Sequence, residues 1–136
     1  MNPIDTIVDN ESRLACCALE YVASPRVDSE SKIRALLDRV LSIEEEVLVP
    51  MTSKLGLGAD VFGNTAQQLR QLREGLSAGR TRFSDVAEAM MITTSRRARD
   101  FRDVVLVLLE KELSENDEAQ LELLIAPFGD DYHVSA

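Results

Sequence analysis

The stretch LLDRVLSIEEEVLVPM, residues 36–51, decides how this chain folds. Together with Ile33 upstream, it sets Leu37, Val40, Val47 and Met51 on one line, and Leu36 and Leu48 widen that line. Apolar residues three and four apart mark one face of an α-helix. The helix should begin near Asp28 or Ser29, and Pro50 should end or kink it. Glu44 falls on the same apolar line, whereas Glu45 and Glu46 fall to the outer, solvated side. A carboxylate on a buried line costs several kcal/mol unless it is paired, hydrogen-bonded or metal-bound.

The pattern repeats on either side. Asn2-Pro3 reads as a helix cap with proline in the first turn. A first helix then carries Ile4, Val8, Leu14, Ala15, Ala18 and Val22 as far as about Ala23, before Ser24-Pro25 breaks it. "KLGLGAD", residues 54–60, is a loop with Asp60 as a candidate cap. A third helix carries Phe62, Ala66, Leu69, Leu72 and Leu76, closed by "SAGR". A long fourth starts near Ser84 and carries Ala87, Met90, Thr94, Arg97, Phe101, Val104, Val105 and Leu108. Ser114 and Asp117 resemble a capping box, which predicts a short last helix over 115–126. The stretch "PFGDDYHVSA" that follows it reads as frayed. The fold class expected is all-α, an up-and-down four-helix bundle with a short extra C-terminal helix. It should fill residues 1–128, with 129–136 a flexible tail.

Two further charges fall on apolar lines. The series Ile4, Val8, Ala15, Ala18 passes through Glu11, and the series Met90, Thr94, Phe101 passes through Arg97. Each charge alone reads more readily as a solvated one at the rim of the core; three at comparable depth on three different helices weigh against that and toward paired, hydrogen-bonded or metal-bound groups inside.

Composition excludes several functions. The 136 residues suit one domain, and 45% hydrophobic with 29% charged suffices for a core and solubility. A net charge of -9 opposes nucleic-acid binding. No apolar run nears the roughly 18 residues of a membrane span, and no leader pattern shows at the N-terminus. The adjacent Cys16 and Cys17 give no disulfide framework, so a cytoplasmic location is expected. The one histidine, His133, lies in the tail, so histidine-based triads and dyads cannot be built. "KLGLGAD" lacks the lysine and hydroxyl of a phosphate loop. Arg96, Arg97, Arg99 and Arg102 could dock a phosphate or an acidic partner. The plainer reading is a helix face with local pairs, Arg96 to Asp100 and Arg99 to Asp103. No catalytic residue is assigned and no enzyme is expected.

These segments resemble the hemerythrin-like (HHE cation-binding) domain, a four-helix bundle that holds a di-iron site between its helices. "MNPIDTIVDNESRL" resembles the family's opening, where a short apolar start leads to a histidine. "LLDRVLSIEEEVLVPM" is similar to its second helix, where a His-x-x-x-Glu pair precedes a Glu-rich run, an apolar pair and a proline. "TAQQLRQLREGL" is similar to its third helix, and "RRARDFRDVVLVLLEKELSENDEAQLELL" resembles its fourth, though Val107 stands where a proline is usual. The family's histidines are absent. The resemblance places Glu11, Val40, Ala66, Arg97 and Phe101 at the histidine and glutamate ligand positions, and leaves Glu44 as the one glutamate kept.

What the resemblance implies is a bundle without its metal. Arg97, pairing with Glu11 and Glu44, would be the substitute ion in a buried Glu–Arg–Glu network. No cofactor is then expected, and the chain would be an interaction or regulatory module with a protein partner or self-association. One alternative is a carboxylate-based iron protein, a di-iron site rebuilt on Glu11 and Glu44 with Asp100 or Asp103 nearest, serving sensing or storage. Another is a small-ligand binder using a cavity at the vacated positions Val40, Ala66 and Phe101.

Overall fold

The computed structural model describes residues 2–57, 62 and 64–130. Asp60 and His133 lie outside them. All the regular structure among the described residues is helical: α1 Pro3–Ala23, α2 Val27–Ile43, α3 Val49–Lys54, α4 Thr65–Ser77, α5 Phe83–Asp100, α6 Leu106–Glu112 and α7 Glu115–Asp130. A π turn, Glu44–Leu48, joins α2 to α3, and another, Phe101–Val105, joins α5 to α6, so each trio forms one continuous rod. None of these helices is long and apolar enough to cross a membrane.

Local chemistry sets most of the ends. Asn2 Oδ1 accepts from the Ile4 amide at 2.9 Å, and Pro3 opens α1. Gly56 and Gly79 adopt positive φ just beyond α3 and α4. The Arg80 amide reaches back to the Gly75 carbonyl and the Gly79 amide to that of Leu76, the paired bonds of a Schellman ending. Ser114 and Asp117 cap α7 reciprocally, each backbone amide donating to the other's side chain at 3.2 Å.

Four expectations need correction. Of the two outcomes expected of Pro50, an end or a kink, the end does not occur: the helix runs on to Lys54. The Val49 amide bonds back to the Glu44 carbonyl, and this wider turn relieves the clash a proline makes with the carbonyl four residues before it. In α1 the buried line is Ile4, Ile7, Glu11, Leu14, Ala18 and Tyr21; Val8 and Ala15 are only half-buried and Val22 is exposed. In the fourth rod Val104 is 56% exposed and Leu108 half-buried, while Val105, Leu106 and Leu109 are inside. The π turn holds one extra residue, so the inward line slips by one beyond Phe101. Finally, α7 does not stop near 126 but passes through Pro127 to Asp130, with Phe128 packed on the core.

α1 packs on α2 and α5, α4 packs on α2 and α5, and α7 lies along α1 and the second rod. The interior divides into two apolar clusters. One holds Ile7, Val47, Ala66, Phe101 and Leu121, the other Leu14, Leu41, Leu69 and Met90. In α1 and in the fourth rod the chain passes from one cluster to the other across a buried charged residue, Glu11 and Arg97 respectively; in the second rod it does so between Leu41 and Ile43, just before the buried Glu44.

Candidate functional site

These three charges meet. Arg97 is fully buried, and Glu11 and Glu44 are nearly so. Arg97 Nε donates to both Glu11 carboxylate oxygens at 2.9 Å, and its Nη1 sits 2.7 Å from Glu44 Oε1. The second contact is an ion pair out of line with the N–H. Neither Arg97 Nη1 nor Nη2 therefore has an aligned acceptor among the described residues. Below the guanidinium lies the Phe101 ring, 4.3 Å from Cζ to centroid, one helical turn along on the same face. A planar cation on an aromatic face gains attraction that a lysine could not reproduce.

A fourth residue completes the layer. Arg70 on α4 donates through Nη1 to Glu44 Oε2 at 2.9 Å, and its side chain is 34% exposed. Arg73, one turn on, pairs with Glu45 at 3.3 Å. Two carboxylates and two guanidiniums, one from each of four rods, therefore make a layer that is neutral when all are charged. Arg70 was not legible from the apolar pattern. It sits at the flank of the α4 line beside Leu69, and only its long stem carries the charge inward. Its sole sequence signal is its place in the Leu-Arg-x-Leu stretch.

The electrostatics are uneven. Burial pushes the Glu11 carboxyl up to about 7, against the charge and hydrogen bond of Arg97, which pull it down. Burial alone would lower Arg97, but Glu11 and Glu44 outweigh it and hold the guanidinium above its already high ordinary value. Arg97 is thus a fixed positive charge between the two carboxylates.

That donor set does not fit a di-iron centre. Arg97 nitrogens occupy the space a cation would share between Glu11 and Glu44, and no three His, Cys, Asp or Glu residues cluster among the described residues. Asp100 is half-buried, and Asp103 is exposed and bonded to Arg102 at 3.1 Å. The vacated positions are all buried but do not line one space. Ala66 and Phe101 belong to one apolar cluster and Val40 to the other. Phe101 is packed against Phe62, with ring centroids 6.1 Å apart. The pairs Arg96–Asp100 and Arg99–Asp103 do not form; among the described residues neither arginine has a carboxylate partner. Cys17 packs against the core, where burial pushes its thiol up, and Cys16 is exposed.

No protein-family model matches the chain, and neither a curated protein nor a solved structure shows significant similarity to it.

Proposed function

We propose that this chain is a hemerythrin-like four-helix bundle in which Arg97 stands in for the metal, and that it serves as an interaction or regulatory module rather than an enzyme. The observation that carries the reading is the fully buried Arg97 guanidinium held between Glu11 and Glu44. The mutual packing of α1, α2, α4 and α5 supports the bundle, with α7 as the added C-terminal helix. An arginine needs no redox poise and no open coordination position. What it supplies to such a bundle is a permanent charge that fixes the helices in register. The layer presents no free nucleophile or base. Among the described residues, those lining the grooves between α1 and α5, α1 and α7, and α2 and α4 do not include Glu11, Glu44 or Arg97.

Metal content tests the reading. The protein is purified without chelator from iron-supplied cells and measured by plasma mass spectrometry. A content far below stoichiometric is expected. Stoichiometric iron, manganese or zinc would overturn the reading and restore the carboxylate-based metal protein.

A further inference from the structure

Two surface grooves of this acidic chain carry side-chain charge of opposite sign. Arg96, Arg99 and Arg102 project from the outer face of the fourth rod. Arg102 contacts only its neighbour Asp103, and Arg96 and Arg99 meet no carboxylate among the described residues. Beneath them a shallow groove runs between α1 and α5, floored by Leu19, Met91 and Ile92 and continuing past Ala15 and Cys16. Leu19 and Ile92 are 56% and 47% exposed, although a folded chain gains by covering such residues.

A second groove, between the start of α1 and the α6–α7 corner, has the opposite character. Glu110, Glu115, Glu118 and Glu122 line it with Leu113 and Ala119, and among the described residues no basic side chain does. None of the four carboxylates has an ion-pair partner among the described residues. Leu123, one turn beyond Ala119 on α7, is 77% exposed beside them.

We propose that the basic α1/α5 groove of one copy docks the acidic α6/α7 groove of a second copy, head to tail. Each surface has unpaired charge of one sign beside exposed leucine or isoleucine, and each complements the other. A contact of either groove with its own copy would set like charges face to face, which complementary interfaces avoid. Docked head to tail, the contact is heterologous, and such contacts close into rings or extend rather than stopping at a pair. This deepens the interaction-module reading by naming the partner. It stands on surface residues alone, so its failure would leave the metal test of the buried layer untouched.

Sedimentation velocity on the full chain over a concentration series, at low and high salt, tests it. Wild type should grow beyond a dimer with concentration, and salt should weaken that growth. Arg96→Glu with Arg99→Glu should weaken association at least about tenfold, as should Glu118→Arg with Glu122→Arg. Mixing the two double variants should restore it, because each then offers the groove the other lacks. All four sites are exposed, and circular dichroism checks that the variants stay folded. A wild type monomeric throughout would overturn the proposal, as would a closed dimer indifferent to both variants. So would a mixture that stays monomeric. Monomeric wild type that binds inorganic phosphate through Arg96 and Arg99 would reassign the groove to anions.

Discussion

Arg97→Ala leaves Glu11 and Glu44 facing each other in the core, and breaking a buried pair from one side costs about 3 to 5 kcal/mol. Chemical denaturation near neutral pH should show that loss. Arg97→Lys should recover little of it, since an ammonium neither forks between two carboxylates nor stacks on Phe101. Arg70→Ala should cost less, because that side chain is partly solvated and Glu44 keeps Arg97. Glu11 also sets a pH dependence. Its carboxyl is raised from an ordinary 4.5 to about 7 on folding, so the folded state holds its proton more tightly. The resulting stability is present below pH 4.5 and lost as pH rises through about 7. It amounts to something on the order of 3 kcal/mol. Glu11→Gln should flatten that part of the profile, and denaturation midpoints between pH 5 and 8 would show it.

The π turn Phe101–Val105 makes a sharper prediction for the elements. If it holds one residue too many for an α-helix, deleting the exposed Val104 should return the rod to regular period and leave Val105, Leu106 and Leu109 facing inward. Such a protein should stay helical and melt cooperatively. Deleting one residue from the middle of α4, such as Gln71, should instead rotate Leu76 out of the core and unfold the chain. Circular dichroism melts distinguish the two. The π turns also mark what sequence reading could reach. Caps and breakers were legible because each is a local bargain: Asn2 with Ile4, Ser114 with Asp117, Ser24 before Pro25. Glu11 was legible although its neighbours on the line were misjudged. The lines through Val8 and Ala15 and through Ile7 and Leu14 cross at residues 4, 11 and 18. Val104 and Leu108 were misplaced because a regular period carries no trace of an inserted residue. Arg70 stayed hidden because a long side chain reaches further than the position of its Cα suggests.

For the whole molecule, a net charge of -9 at pH 7 adds a self-repulsion that relaxes toward the pI of about 4.6. It acts in the same direction as Glu11, so melting temperature should rise as pH falls from 8 toward 5.5. Added salt should remove the global share and leave the Glu11 share, because buried groups are poorly screened. Melts of wild type and Glu11→Gln at two salt concentrations separate them. The charged layer also spans very different stretches of chain. Glu44 and Arg70 are 26 residues apart, whereas Glu11 and Arg97 are 86 apart. The short loop closes cheaply, so the Glu44–Arg70 contact can form while the chain is still collapsing. Arg97 meets Glu11 across the longer loop, whose closure costs more, so that bond is expected to form late, after the folding barrier. Its loss should then accelerate unfolding and hardly slow folding. The buried arginine would thus act as a latch on the finished protein, lengthening its lifetime more than it helps the chain to fold.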